Sequence, residues 1–173
     1  MPPDPLTPAE VARLLPATVT HLRAELAVVP ERVLAWHPAP GEWCVKDVLG
    51  HLIEADQRGF AGRIRILLEA DSSELERWDP AAVAAARMDC ARPAMGLLDE
   101  LATLRAAGAS LVSRLTAADL DRAGRHPTVG VLRVRDLLQE WVHHDRNHVR
   151  QALANVQAYV WLAMGNAQKF SAS

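Results

Sequence analysis

Hydrophobic residues recur at helical spacing along most of the chain, which predicts four main helices. The first is expected to begin at Thr7, because this N-cap residue is followed by Pro8 at the first helical position and by Glu10 three residues later. Its apolar face continues to about residue 29, and Pro16 is expected to kink or briefly break it. The other helices are expected over about residues 44–70, from near residue 93, and over about residues 134–155, with a shorter one to residue 164.

No segment alternates apolar and polar residues over more than four or five positions, so a buried strand is not expected. The stretch "TVGVLRV" is the best candidate for one and a poor one. The connection "DSSELERWDPAAVAAARMDCARP" between the second and third helices is long and irregular. The pattern therefore predicts one all-α domain over residues 1–173, a four-helix bundle with a long crossover between helices 2 and 3.

Composition narrows the classes of protein that fit this pattern. Half of the 173 residues are hydrophobic and 23% are charged, which is typical of a globular domain with one core. The net charge of −2 gives no basic surplus for nucleic acid, and no apolar run approaches the ~20 residues of a membrane span. The N-terminus does not resemble a secretory signal, and two cysteines do not make a disulfide scaffold. A cytoplasmic protein that binds neither nucleic acid nor membrane is expected.

The stretch "WVHHDRNHVRQ", residues 141–151, contains three of the seven histidines. His144 and His148 continue an apolar stripe on the last long helix, so they are expected to face inward, one turn apart and within reach of one metal ion. His143 lies on a different stripe and is expected to face solvent. The residues of the inward stripe are Leu137, Trp141, His144, His148 and Ala152.

A metal site needs a third ligand, and the chain after His148 has no His, Asp, Glu or Cys. The residue after His144 is Asp145, not the glutamate that zinc proteases use as a base. Upstream, His51 lies on the inner side of the second helix, where an unpartnered imidazole would be costly. A shared cation would satisfy all three histidines, but buried histidines are often only hydrogen-bonded. Spacing alone leaves both interpretations open.

Two segments carry a family resemblance: "APGEWCVKDVLGHLIEADQRGFAGRIRILLE" and "LRVRDLLQEWVHHDRNHVRQ". They resemble the signature segments of the DinB-like superfamily, in which a helix with an inward histidine is followed some distance later by an H-D-x-x-H helix. The resemblance extends over about residues 5–155. It implies a four-helix bundle, often dimeric, with a divalent ion held by His51, His144 and His148. The family usually has serine or threonine in place of Cys44, which lies ~10 Å along the helix from His51 and is not expected to be a fourth ligand.

The resemblance also implies candidate functions. Three neutral imidazoles leave coordination positions open, as at a catalytic site, and some relatives are transferases or isomerases that use bacillithiol or mycothiol. A metal-dependent transferase that activates a low-molecular-weight thiol against a small-molecule substrate is the first hypothesis. A hydrolase in which the ion activates water and a non-catalytic metal-binding stress protein are the alternatives. Zinc or nickel is expected first among the ions, and a homodimer is expected.

Residues around the three histidines are candidates for supporting roles. Glu140 and Gln151 lie one turn either side of the pair on the last helix, and Asp145 is positioned to orient a ligand or to cap a neighbour. A solvent-exposed helix flank would explain the same residues equally well. The catalytic residues themselves cannot be assigned from the sequence.

Overall fold

The computed structural model of the protein describes residues 3–70 and 72–171. Four long helical segments form the body of the molecule, and the second of them is interrupted by a π-helical turn, Ala55–Phe60. The helices and strands, in chain order, are α1 (Pro8–Leu26), α2 (Glu31–Leu34), α3 (Val45–Glu54), α4 (Ala61–Glu69), β1 (Ser73–Glu74), α5 (Pro80–Arg87), α6 (Ala94–Val112), β2 (Ala123–His126), β3 (Gly130–Arg133) and α7 (Val134–Trp161). Among the described residues, no helix has the length and apolarity that a membrane span requires.

The four long helices predicted from hydrophobic spacing are present, but two of the expected breaks are not. α1 continues through Pro16, whose side chain is exposed, while Leu15 and Val19 on either side are buried in the core. α7 runs as one helix to Trp161, although its end was expected near Asn155. The Asn155 side chain is buried and donates a hydrogen bond from Nδ2 to the Trp43 carbonyl oxygen at 2.7 Å, so this polar residue is satisfied inside the helix.

The expectation of an all-α domain is incomplete, because three short strands form a small sheet. β1 pairs with β2 in parallel, and β2 pairs with β3 as an antiparallel hairpin in which Gly124 lies opposite Leu132. Gly130 has φ of +77° at the hairpin turn, a conformation that favours glycine. Strands of two to four residues are too short for an alternating pattern to be recognised. The connection between α4 and α6 contains β1 and α5, and the crossover topology expected for it stays a prediction.

A disulfide joins Cys44 to Cys90, with Cα atoms 6.8 Å apart. Cys44 is the N-cap of α3, where its sulfur accepts a hydrogen bond from the Asp47 amide while the Asp47 carboxylate accepts one from the Cys44 amide. Cys90 lies in the 3₁₀ turn Asp89–Ala91 that follows α5. The sequence did not predict this pairing, because the position of Cys90 depends on how the connection after α4 folds back onto α3.

A buried layer of polar side chains crosses the middle of the bundle. Arg105 on α6 donates to both carboxylate oxygens of Asp145 on α7, at 2.5 and 2.7 Å, and its Nε lies 2.8 Å from Oδ2 of Asp56. Thr18 on α1 donates to Asp145 at 2.8 Å, and the Trp141 indole donates to Asp56 at 2.9 Å. Burial raises the pKa of Asp56 to about 7, although the charge of Arg105 opposes that shift. Through these contacts one guanidinium links all four long helical segments.

Two apolar clusters adjoin this layer, and on each long helical segment the polar residue falls at the boundary between them. Packing on both sides holds the layer away from water, which strengthens its ion pairs and makes the loss of one partner costly. The first cluster includes Val19, Leu22, Leu49, Leu52, Leu97, Leu101, Val149 and Ala152. The second includes Val11, Leu15, Ile64, Leu67, Val112, Leu137, Leu138 and Trp141.

We expect Arg105→Met to destabilise the protein by about 3–5 kcal/mol, because two carboxylates remain buried without their cation. The matched control is Arg23→Met, which removes an interhelical ion pair between α1 and α6 at the surface. Arg23 contacts Asp99 at 2.6 Å, but these side chains are 40% and 70% exposed, so its loss should cost less than ~1 kcal/mol. Urea unfolding at neutral pH measures both changes, and equal losses would contradict the role given to Arg105.

Gly108→Ala should also destabilise the protein, by about 1–3 kcal/mol, because the new methyl group overpacks the core. A Cβ atom there would lie 2.8 Å from Cη2 of Trp141, whose indole is fully buried and fixed by its bond to Asp56. Gly96→Ala, on the same helix, meets no atom within 4 Å and should be neutral or stabilising by up to about 1 kcal/mol. The midpoint temperatures of thermal unfolding should therefore shift in opposite directions from wild type, or the Gly108→Ala midpoint should fall clearly further.

Candidate metal centre

The three histidines singled out in the sequence come together between α3 and α7. Nε2 of His51 lies 3.0 Å from Nε2 of His144. With one ring nitrogen taken from each of His51, His144 and His148, the three atoms all lie within 4.8 Å of one another. Nitrogens bound to one zinc ion at ~2.0–2.1 Å each would have separations in this range. The geometry of the donor set therefore fits a single divalent ion.

Burial keeps these imidazoles neutral, which is the form that binds metal. Loss of hydration on burial is the main cause of the lowered pKa of each ring, and the neighbouring histidines lower the pKa of His51 and His144 further. Together these effects lower the pKa of His51 to about 4 and that of His144 to about 2. The pKa of His148 is lowered as well, although its hydrogen bond to Gln151 opposes the shift.

Gln151 makes a direct contact with one of the three rings. His148 donates from Nδ1 to Oε1 of Gln151 at 2.8 Å, which leaves its Nε2 as the nitrogen with a free lone pair. The buried Nδ1 atoms of His51 and His144 have no hydrogen-bond partner among the described residues. Three close, desolvated imidazoles with so few partners are costly by themselves, and this supports a cation as their common partner.

Aromatic side chains enclose the histidines. The Trp43 and Trp78 rings lie 4.9 and 5.7 Å from the His51 ring, and Phe60 lies edge-on to His144 at 5.1 Å, each measured between ring centroids. Phe60 is the last residue of the π-helical turn, an irregularity that is common at functional sites. These walls fix the orientation of the rings and exclude water from their flanks.

A cavity of about 620 Å³ opens over His51 and His144, which is the size range of small-molecule sites. Its walls are mainly apolar, and its charged residues are one arginine and two carboxylates. From the sequence, only His51, His144 and Glu140 among its lining residues were assigned to the site, because the others come from separate elements. Besides the two histidines, the lining includes Phe60, Arg63, Trp78, His126, Val129, Leu132, Asp136 and Glu140.

Three other residues discussed in the sequence analysis, Glu140, Asp145 and His143, lie in different surroundings. Glu140 is exposed at the cavity, on the same helix as the histidine pair. Asp145 is buried and bonded to Arg105 and Thr18, so its oxygens are directed to the polar layer and not to a histidine. His143 is exposed, as its stripe indicated, and contacts the Asn147 amide at 3.2 Å.

Comparison with known proteins finds a similar solved structure and a matching family. No curated protein sequence matches the chain. Among solved structures, YfiT from Bacillus subtilis is similar over 93% of this chain and 94% of its own, with a TM-score of 0.82 and 19% sequence identity. YfiT is described as a probable metal-dependent hydrolase with an unusual four-helix bundle topology. Residues 14–152, which include all three histidines, match the sequence profile of the DinB superfamily, and the chain therefore belongs to that superfamily.

Proposed function

We propose that the protein is a metal-dependent enzyme in which His51, His144 and His148 bind one divalent ion, with zinc or nickel as the first expectation. The observation that carries the proposal is the convergence of three neutral, desolvated imidazoles beside a cavity of small-molecule size. The donor set is soft enough for zinc, nickel, copper or iron and contains none of the carboxylates that magnesium or calcium prefer. Three protein ligands would leave the coordination shell open toward the cavity.

The bound ion would supply Lewis acidity, which lowers the pKa of a thiol or water that completes its coordination shell. The protein contributes orientation and exclusion of water. Gln151 fixes the tautomer of His148, and the ring of Trp43 holds His51 in place. Arg63 at the cavity wall provides a cation for an anionic group on the substrate, and Glu140 provides a carboxylate that can accept a proton.

Transfer of a low-molecular-weight thiol to an electrophile is the preferred reaction. His51, His144 and His148 would hold the ion without compensating its two positive charges, and the bound ion would therefore favour an anionic sulfur in the partly buried site. The apolar wall formed by Phe60, Trp78 and Leu132 suits the organic body of an electrophile. The thiol would lose its proton to Glu140 or solvent, and a carbon–sulfur bond would form as the leaving group departs.

Hydrolysis is the second candidate, because the same charge argument applies to water. Two carboxylates at the cavity, Asp136 and Glu140, are both exposed and suited to act as a base. The description of YfiT as a probable metal-dependent hydrolase favours this alternative.

A homodimer also remains part of the proposal, and the exposed side chains of Val160, Leu162 and Phe170 near the C-terminal end are consistent with a partner surface.

Alanine at any one of the three histidines should abolish stoichiometric binding of a divalent ion, because two imidazoles cannot hold it against solvent. His143→Ala is the matched control and should keep wild-type metal content, since that side chain is exposed on the same helix. Elemental analysis of protein purified without a histidine tag measures the outcome. Full metal retention by the His51→Ala variant would refute the three-histidine assignment.

The stability added by the metal should depend on pH with a defined sign. Protons compete with the ion only where the folded, metal-free histidines titrate, and burial lowers the pKa of His51 to about 4, so the increment is fully present at neutral pH and is lost as pH falls through about 4. Asp56 acts in the opposite direction, because its pKa is raised to about 7. Subtracting the stability of metal-free protein from that of metal-loaded protein at each pH removes this contribution.

Thiol consumption with an electrophile and ester hydrolysis should be assayed over the same pH series, alongside metal content. We expect the thiol-transfer rate and the metal content to be retained at neutral pH and to fall together as the pH approaches about 4 and protons displace the ion. Ester hydrolysis without thiol transfer would favour the hydrolase, and loss of stability with neither activity would indicate a structural metal. Thiol transfer that persists after the ion has gone would contradict the proposed mechanism.

A further inference from the structure

A second group of metal-binding side chains lies at the N-terminal end of α3, separate from the three histidines. It consists of His37, Cys44, Asp47 and Cys90, and one donor atom from each lies within 4.8 Å of all the others. Its members come from the loop before α3, from the first turn of that helix and from the turn after α5. The structure has the two cysteines joined as a disulfide.

The donor atoms converge on the sulfur of Cys90. Oδ2 of Asp47 lies 3.2 Å from this sulfur, and Nε2 of His37 lies 3.5 Å from it. A disulfide sulfur carries no proton, so neither contact is a hydrogen bond from the thiol in the oxidised protein. The Asp47 oxygen and the His37 nitrogen therefore both face the lone pairs of the Cys90 sulfur with no proton between them. A cation at this position would stabilise the arrangement.

His37 already has the orientation and tautomer of a metal ligand. Its Nδ1 donates to the backbone carbonyl of Glu42 at 2.7 Å, which leaves the lone pair on Nε2, the nitrogen that faces Cys90. Metal-bound histidines usually donate their other ring N–H to a carbonyl or carboxylate in this way. The His37 side chain is exposed, so burial does not explain this arrangement.

Cys44 is suited to be a thiolate once it is reduced. It is the N-cap of α3, and its sulfur accepts a hydrogen bond from the Asp47 amide at 3.4 Å. The amide dipoles of a helix N-terminus stabilise a thiolate at this position. A groove of about 360 Å³, lined by His37, Asp47 and Cys90 among others, gives solvent access to the cluster.

We propose that reduction of the Cys44–Cys90 disulfide converts this cluster into a zinc site with the ligands His37, Cys44, Asp47 and Cys90. The reductant is a dithiol: its two thiols become a disulfide, and Cys44 and Cys90 each take up one proton. Zinc binding then releases both protons as the sulfurs become thiolates. Two sulfurs, one imidazole nitrogen and one carboxylate oxygen complete a tetrahedral set, so this site is closed where the three-histidine site is open.

Cobalt(II) is the probe, because cobalt bound to thiolate gives a charge-transfer absorption that imidazole ligands do not produce. Metal-free wild-type protein is reduced with a dithiol, separated from it without oxygen, and titrated with cobalt beside the oxidised protein. We expect the reduced protein to bind one equivalent more and to show the thiolate band. The His51→Ala variant should keep the band and lose one equivalent, which separates this site from the three-histidine site.

Variants assign the ligands. Cys90→Ser should abolish the band, and so should Cys44→Ser, whose hydroxyl preserves an N-cap acceptor for α3. His37→Ala should weaken cobalt binding at the band-forming site by at least about tenfold. His21→Ala, an exposed histidine on α1, is the matched control and should leave the site unchanged.

The comparison of reduced and oxidised wild type needs no variant, so a variant that fails to fold leaves the test intact. A reduced protein that binds no more cobalt than the oxidised one overturns the proposal, as does additional cobalt without a thiolate band. Unfolding on reduction, followed by circular dichroism, overturns it as well. In each of these cases the disulfide is only a covalent link, and the three-histidine proposal is unaffected.

Discussion

The buried contact between Arg105 and Asp145 is the interaction on which the bundle depends. A guanidinium that is 1% exposed is compensated by two carboxylates, and the same carboxylates are bonded to Thr18 and Trp141. Buried charges tolerate little change in geometry, because each loses its hydration and depends on its partners. The layer therefore fixes the relative positions of the four long helical segments more strictly than apolar packing alone would.

The polar layer also determines how the histidines meet. Asp145 follows His144 directly in the sequence and lies three residues before His148, so fixing its carboxylate on Arg105 fixes the rotation of α7 about its axis. At the other side, Asp56 lies five residues after His51, at the start of the π-helical turn, and is held by Trp141. A structural ion network thus orients the face that carries the three histidines without contributing a side chain to their cluster.

α3 carries groups that belong to both candidate sites. His51 is near its C-terminal end, and Cys44 and Asp47 are at its N-terminal end. Trp43, directly before Cys44, lies against the rings of His51 and His148, and its carbonyl oxygen is held by Asn155 of α7. Trp43 of the histidine site is therefore followed directly in the chain by Cys44 of the second cluster.

Hydrophobic spacing determined the four long helices and the inward faces of His51, His144 and His148, because helical periodicity is a local property. The family resemblance joined those faces into one expected site. Only the tertiary structure decided the small sheet, the pairing of Cys44 with Cys90, and the cavity residues such as Arg63 and Asp136. These features bring together residues that are distant in the sequence, and the fold of the connections sets their contacts. Arg105 interrupts a leucine-rich stripe, but its partners depend on helix packing, which no single helix encodes.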